Sequence, residues 1–277
     1  MTATLPERKA NGGLRGRTRA GVSGFLRNWL LFIGLVVLWE LVTRLAQDKF
    51  FPPPTEIIRA AGQLWFSENF ADHILPSVGR MLGGWLIAVV LGVGLGVALG
   101  RTRTGMDYAG PLFSFGRSIP PPTLAPVFLV LFGIGPGMQL ATIIFGALFP
   151  ILLNTVDGVR SVDAVKVDTA RSFRSPRRYW LLLVVLPAAS PKIFAGLRLS
   201  LSISMILMVV SELIGAFDGI GYALNSSRQI FDFPGMWAWI VLLGILGYGF
   251  NTALLAVERR VLRWQPSRAQ QDANLGG

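Results

Sequence analysis

The chain has 277 residues, 52% of them hydrophobic, and a mean hydropathy of +0.54. A soluble domain rarely reaches that value, so the composition favours one integral membrane domain over several soluble ones. The net charge is +11, but the basic residues lie mostly between apolar segments, which argues against a nucleic-acid-binding protein. The absence of cysteine excludes thiol chemistry, and a single histidine, His73, argues against a zinc site.

The apolar segments predict an all-α membrane protein, because several of them approach the about 20 residues that cross a bilayer. Six transmembrane helices are predicted, over residues 29–46, 81–100, 111–135, 136–154, 192–215 and 236–257. The first follows a basic segment, as in a signal peptide, but no cleavage motif precedes Gln47. We therefore interpret this segment as a retained anchor.

The basic residues predict the orientation of the spans. They concentrate in the N-terminal segment, around Arg101, in the segment 160–178 and near the C-terminus, which lie on one side if there are six spans. This bias places both termini in the cytoplasm. The expected organisation is a basic cytoplasmic tail over 1–28, a transmembrane domain over 29–264 and a cytoplasmic tail over 265–277.

The second and third spans contain two features of helix packing. Small residues recur every four positions in the second span and predict a close helix contact. They are Gly84, Ala88, Gly92, Gly96 and Gly100. The third span is interrupted by prolines after Ser118, and a broken helix at membrane depth lies inside protein or beside a watery cavity. Arg117 and Pro121 are therefore candidates for a translocation pathway, although Arg117 can instead snorkel to the surface.

Acidic residues near the outer ends of spans are further candidates. Glu212, after Ser211 in the fifth span, either lines a pathway or holds a neighbouring helix by hydrogen bonds. Glu40 and Arg44 have the i, i+4 spacing of an ion pair. Thr55 is a predicted N-cap for a short outer helix over 57–66. His73 is expected on the surface of an outer loop.

The polar segment 161–187 has its own helical pattern. Ser161 is a predicted N-cap of a helix over 162–173, with Val162, Val165, Thr169 and Phe173 on one face. A second helix is predicted from Pro176 to a break at Pro187. A loop resting on anionic lipid explains the charge of this segment, but it does not explain the ordered apolar face.

This segment resembles the cytoplasmic signature of binding-protein-dependent ABC transporter permeases. The signature reads E-A-A, three residues, G, nine residues, then I-x-L-P, and the spacing matches from Asp168 to Pro187. Ala170, Leu186 and Pro187 match in type, Asp168 and Val184 are similar, and Thr169 and Arg174 depart. The segments 149–155 and 196–198 resemble the nitrate, sulfonate and taurine branch.

The resemblance implies a type I ABC importer permease bundle in the bacterial inner membrane. Its coupling helix, docking on the ATPase subunit, would include Val165, Asp168, Thr169, Ala170, Phe173 and Arg174. The implied partners are ABC ATPase subunits that bind ATP and Mg, an extracytoplasmic binding protein, a second permease copy and membrane lipid. The implied cargo is a small anion such as sulfonate, taurine or nitrate.

The chain itself has no signature of an enzyme. None of its lysines follows a glycine, so a phosphate-binding G-K-[ST] loop is excluded, and no cofactor is expected in this chain. Two alternatives remain. A secondary transporter or channel would more typically contain an acid at mid-membrane and an internal repeat. The other alternative is a membrane-anchored scaffold or enzyme.

Overall fold

The structure, a computed structural model, describes residues 14–163, 165, 169, 172–173 and 176–264. For residues 14–28, 103, 104 and 177 it describes the backbone alone. The regular elements within these ranges are all helical. The chain divides into two compact units, residues 1–59 and 60–277.

The first unit contains helix α1 (Leu14–Ala46) and the start of helix α2 (Pro54–Trp65). Glu40 Oε1 accepts hydrogen bonds from Arg44 Nε at 2.5 Å and from the Thr55 hydroxyl at 2.8 Å, so the predicted Glu40–Arg44 pair is present. The Thr55 N-cap prediction is wrong. The helix already begins at Pro54, a position at which the missing N–H of proline costs no helical hydrogen bond. The Thr55 hydroxyl binds Glu40 instead.

The second unit contains the remaining helices and two π-helical turns, Phe70–Ile74 and Leu181–Val185. The α-helices are α3 (Leu75–Gly100), α4 (Arg103–Ser118), α5 (Pro121–Phe132), α6 (Pro136–Arg160), α7 (Arg177–Trp180), α8 (Leu186–Gly215), α9 (Ile220–Gln229) and α10 (Phe233–Val261). Within the described ranges, five helices are long and apolar enough to cross a membrane, or six if α4 and α5 form one span. The predicted helical membrane fold is therefore confirmed.

Helix α6 lies at the centre of the second unit and packs closely against α3. A Cβ atom added to Gly84 would lie 2.8 Å from Ile143 Cγ2, and one added to Gly96 would lie 2.6 Å from Thr155 Cβ. The pairs Gly92 with Ile151 and Gly100 with Val159 repeat this contact. All four pairs are 59 residues apart in sequence, so α3 and α6 run parallel in one constant register. The predicted stripe of small residues is thus a helix-packing surface.

Helix α8 runs antiparallel to α6 and packs on it through glycines of both helices. A Cβ atom on Gly196 would lie 2.9 Å from the Pro150 carbonyl oxygen, and one on Gly158 would lie 3.0 Å from the Ala189 carbonyl oxygen. The ends of α3 and α6 and the start of α8 therefore meet at one end of the unit, the loop end. The opposite end carries α9, and we call it the hairpin end.

The third span is broken, as its prolines indicate. Helix α4 ends at Ser118, α5 begins at Pro121, and the two helices are bent by 91°. A Cβ atom on Gly116 would lie 2.7 Å from Phe149 Cζ, and one on Gly146 would lie 3.2 Å from Pro121 Cβ. Phe149 and Gly146 lie near the middle of α6, so the break lies about halfway along the bundle.

The fifth span is longer than the sequence pattern indicates. The chain forms one apolar helical segment over Arg178–Gly215, whereas the pattern predicts a break at Pro187 and a span that starts at residue 192. The π-helical turn Leu181–Val185 explains the difference. It leads directly into α8, whose first turn holds Pro187, where no backbone donor is required.

We expect Gly96→Ala to lower the free energy of unfolding by about 1–3 kcal/mol, the usual cost of overpacking a closed contact. The added methyl carbon would lie 2.6 Å from Thr155 Cβ and 2.9 Å from the carbonyl oxygen of Leu152. Gly94→Ala is the control, because a Cβ atom there would have nothing within 4 Å. Thermal unfolding in detergent compares the two variants, and equal stability would contradict the described packing.

Candidate functional site

At the loop end, two bulky apolar side chains point outward from a short helical segment. Val165 and Phe173 are 70% and 79% exposed, and Thr169 between them is also exposed. The Phe173 N–H donates to the Thr169 carbonyl at 3.1 Å, and the Thr169 hydroxyl donates to the Val165 carbonyl at 2.7 Å. The four-residue spacing puts these three side chains on one helical face, which we call the contact face.

The helix that carries the contact face starts later than the sequence pattern indicates. The Ser161 N–H donates to the Asp157 carbonyl at 3.1 Å, so Ser161 ends α6 and does not cap the next helix. Asp163 Oδ1 accepts from the Val165 N–H at 2.9 Å, as an N-cap side chain does. Val162 is half-buried against the apolar core and is not part of the contact face.

The predicted coupling residues are only partly described. Val165, Thr169 and Phe173 lie together on the contact face. Asp168 and Ala170, and also Arg174, lie outside the described residues. The roles of all six residues remain predictions from the sequence.

Contacts at the loop end tie the segments that flank the contact face to the bundle. Lys192 Nζ donates to the Asp157 carbonyl at 3.2 Å, which links α8 to α6. The guanidinium carbon of Arg101 lies 5.0 Å from the centroid of the Trp180 ring, the geometry of a cation–π contact. These contacts connect the flanks of the contact face with α3, α6 and α8.

Two of the pathway candidates lie at the break between α4 and α5. Arg117 is exposed, and Pro121 is half-buried against Gly146. The backbone of Arg117 lies about halfway along the bundle. A charged guanidinium there would be costly in contact with lipid hydrocarbon, so this position favours a water-filled cavity over lipid. The non-helical backbone at the break favours the same interpretation.

The other two candidates, Ser211 and Glu212, are buried in the protein. They are 0% and 2% exposed, and the Ser211 hydroxyl donates within its own helix to the Met208 carbonyl at 2.9 Å. The structure therefore does not bring them to the exposed surface that carries Arg117. Their proposed role in the pathway stays a prediction.

Glu212 belongs to a cluster of polar residues at the hairpin end. Its Oε1 accepts from the Ser77 hydroxyl at 2.6 Å and from Arg80 Nη2 at 2.9 Å, and its Oε2 accepts from the Gly221 N–H at 2.8 Å. Arg80 Nη1 donates to Asp218 Oδ1 at 2.6 Å. We call Ser77, Arg80, Glu212 and Asp218 the hairpin cluster. It joins α3, α8 and the turn before α9.

The turn before α9 is shaped around the hairpin cluster. The Ile220 N–H donates to the Ser77 hydroxyl at 2.7 Å, and the Gly219 N–H donates to His73 Nδ1 at 3.2 Å. Gly219 has a φ of 108°, and a Cβ atom there would lie 2.5 Å from Glu212 Cδ, so only glycine fits. The expectation of a surface histidine is wrong, because His73 is half-buried and accepts this hydrogen bond.

Sequence reasoning did not find Ser77, Arg80 and Asp218. Arg80 lies 132 positions from Glu212 and 138 from Asp218, so no local spacing reveals these contacts. Arg80 also falls just before the predicted second span, where a basic residue is ordinarily assigned to a loop. Among the described residues, no group of three or more histidine, cysteine or acidic side chains is arranged to hold a metal ion.

The broken helix, the long apolar helices and the exposed loop-end face together define a subunit of a membrane transport system. The chain belongs to the family described as the binding-protein-dependent transport system inner membrane component, which matches residues 88–263. It is a permease of an ABC importer for small solutes and a multi-pass inner membrane protein. As a transport subunit it is not itself an enzyme.

Several curated proteins are similar to the chain over most of their length. A putative aliphatic sulfonates transport permease protein, SsuC, of Bacillus subtilis (strain 168) is 29% identical over 88% of this chain and 89% of its own. The taurine transport system permease protein TauC of Escherichia coli (strain K12) is 28% identical over 84% and 87%. The Escherichia coli SsuC is 30% identical and covers 89% of this chain and 95% of its own.

Among solved structures, the inward facing MetNI methionine ABC transporter is similar in fold. Its matching chain has a TM-score of 0.61 and 21% sequence identity, with 68% of this chain and 94% of that chain covered. At this identity the similarity supports the fold alone.

We expect Glu212→Ala to lower the free energy of unfolding by about 3 kcal/mol or more, because it leaves the buried guanidinium of Arg80 without its buried partner. Asp218→Asn is the matched variant, because Asp218 accepts a hydrogen bond from the other terminal nitrogen of Arg80, Nη1. The Asp218 side chain is 46% exposed, against 1% for Glu212, so we expect a cost of at most about 1 kcal/mol. Thermal unfolding compares the variants, and equal losses would contradict the assigned geometry.

Proposed function

We propose that this chain is the permease subunit through which an ABC importer passes a small anion, such as a sulfonate, taurine or nitrate, delivered by an extracytoplasmic binding protein. The observation that carries the proposal is the contact face of Val165, Thr169 and Phe173, apolar at both ends and exposed on a membrane transport subunit. The cargo is inferred from relatives whose names refer to sulfonates and taurine.

The contact face is the surface that meets the ATPase subunit. The exposed side chains of Val165 and Phe173, eight residues apart on one helical face, fit an apolar groove, and burial of such groups drives docking. Asp168, Ala170 and Arg174 complete this coupling helix in our proposal. ATP and Mg bind to the ATPase subunits, and the permease responds through movement of the coupling helix.

The loop end faces the cytoplasm in this proposal. Its flanking helices carry Arg101, Arg160 and Lys192, and α10 ends in Arg259 and Arg260. A cytoplasmic excess of basic residues sets the orientation of membrane proteins. The basic segment 1–28 and the segment 265–277 are then cytoplasmic tails of a permease domain over 29–264.

The transport pathway forms between two copies of the permease. Arg117 is exposed on one chain at half the depth of the bundle, so a second copy is needed to enclose it in a watery cavity. The guanidinium is always charged and presents several donors to an anionic oxygen group. The apolar side chains exposed elsewhere, such as Val90 and Ile245, face lipid.

Uptake requires two states of this dimer. ATP binding draws the two coupling helices together, and the cavity turns from the cytoplasm to the binding protein. The ATPase can shift this equilibrium only if its docking energy differs between the states. The contacts of Arg101 with Trp180 and Lys192 with Asp157 carry the movement from the coupling helix to the bundle.

We expect Phe173→Glu to reduce ATP-driven uptake by about tenfold or more, since a buried interface aromatic typically contributes at least 2 kcal/mol to docking. Co-purification of the ATPase with the permease measures docking directly. Tyr179→Glu is the control, because Tyr179 is also an exposed aromatic residue of this region but lies outside the contact face. Equal loss of docking in both variants, or in neither, would contradict the assignment.

We expect Arg117→Gln to raise the solute concentration for half-maximal uptake by about tenfold, the effect of losing one charge-assisted hydrogen bond. Arg117→Lys keeps the charge, so its half-maximal concentration should lie between those of the wild type and Arg117→Gln. Arg178→Gln, which removes an exposed loop-end arginine, is the control. Uptake of taurine, ethanesulfonate and nitrate into proteoliposomes gives the measurement, and wild-type uptake by Arg117→Gln would refute the contact with the anion.

A further inference from the structure

Gln139 in α6 is buried and has no hydrogen-bond partner among the described residues. It is 1% exposed, and neither its Oε1 nor its Nε2 atom has a partner in the described part of the chain. Arg80 Nε in the hairpin cluster is likewise buried and unpaired there. Buried polar groups are nearly always hydrogen-bonded, and leaving one unpaired costs free energy. Three such atoms on two residues call for an explanation.

The register between α3 and α6 places these two residues opposite each other. Gly84 faces Ile143, and three further pairs keep the same separation of 59 residues: Gly92 with Ile151, Gly96 with Thr155 and Gly100 with Val159. One helical turn towards the hairpin end, this register pairs Arg80 with Gln139.

A second contact supports the same placement. A Cβ atom added to Gly215 would lie 3.0 Å from Met138 Cε, so the first turns of α6 pack against the last turn of α8. Glu212 lies in that last turn, three residues before Gly215. The first turn of α6, which carries Gln139, therefore packs near the end of α8 that holds Glu212.

The unpaired atoms are chemically complementary. Arg80 Nε–H is a donor, and Gln139 Oε1 is an acceptor. Arg80 already holds two acids of unequal exposure, Glu212 at 1% and Asp218 at 46%. The bond to the exposed acid is the weaker one, because water competes for the Asp218 carboxylate. A small rotation of Arg80 can therefore exchange Asp218 for Gln139 while Glu212 stays bound.

We propose that Gln139 is a positioning residue for transport, which pairs with Arg80 in the second state of the bundle and releases Asp218. In the state described here, Arg80 fixes Asp218 and thereby the turn that leads into α9. In the second state, Gln139 takes the guanidinium and the turn is freed. The proposal rests on the proposed function, in which ATP moves the bundle between two states.

Three variants test this exchange in the reconstituted complex with its ATPase and binding protein. Gln139→Met keeps the volume and removes the amide, and we expect uptake to fall by about tenfold, the effect of losing one hydrogen bond to a charged group. Its thermal stability should be unchanged or higher, because the unpaired amide is gone. Arg80→Lys removes Nε, and the double variant should transport no worse than Arg80→Lys alone.

Thr142→Val is the matched control. Thr142 is also fully buried in α6, one turn from Gln139, but its hydroxyl is already bonded to the Met138 carbonyl at 2.8 Å. We expect near-wild-type uptake from this variant. A stable Gln139→Met variant with wild-type uptake would overturn the proposal. Independent, multiplying losses in the double variant would also overturn it, because Gln139 would then act without Arg80.

A spin-label measurement tests the exchange without depending on the cargo. The chain has no cysteine, so Phe70→Cys and Phe217→Cys, at residues 53% and 74% exposed, can be labelled in the purified permease before assembly without background from other positions of the chain. We expect a narrow distance distribution without nucleotide and a broader or longer one with ATP and vanadate. Gln139→Met should keep the narrow distribution in both conditions. A nucleotide-dependent change that persists in Gln139→Met refutes the exchange, even if the wild-type complex carries none of the tested anions.

Discussion

The second unit depends on the close contact between α3 and α6. Small residues recur at every fourth position of α3, and the four glycines among them let the side chains of Ile143, Ile151, Thr155 and Val159 approach its backbone. In a membrane, helix association relies on such close packing because lipid supplies no hydrophobic driving force between helices. The contact fixes one parallel register, and that register decides which residues face each other at both ends of the unit.

At the hairpin end, the register brings Arg80 of α3 beside α8, where it meets Glu212. A buried charged side chain needs partners, and the turn before α9 supplies Asp218 while the first turn of α9 supplies the Gly221 N–H to the same cluster. At the loop end, the same packing brings the start of α8 next to the end of α6. The segments that flank the contact face are therefore held by the ends of α3 and α6 and the start of α8.

Much of this architecture could be predicted from the sequence, because membrane spans and broken helices depend on local composition. The small-residue stripe, the proline break after Ser118 and the i, i+4 pair of Glu40 and Arg44 are each local signals. The two wrong boundaries, the break at Pro187 and the helix start at Ser161, depend on how the chain packs and not on local composition. The π-helical turn before Pro187 has no sequence signature, and α6 extends into the segment where Ser161 was expected to start a new helix.

Of the two candidate sites, local sequence predicts one and only the folded structure reveals the other. The contact face follows from spacing within nine residues, and its exposed members Val165 and Phe173 agree with that pattern. The hairpin cluster joins residues more than 130 positions apart, so only the folded chain reveals it. Glu212 alone was noticeable in the sequence as an acid within an apolar span. Nothing near it in the sequence indicates that Arg80 and Ser77 hold it.

Photo-crosslinking from the contact face in the assembled transporter tests the coupling role most directly. A benzophenone amino acid at residue 173 keeps an aromatic side chain there, and the same label at residue 222, at the hairpin end, is the reference. We expect a covalent adduct between residue 173 and the ATPase subunit and no such adduct from residue 222. Adducts from residue 173 to lipid alone, or ATPase adducts from residue 222, would contradict it.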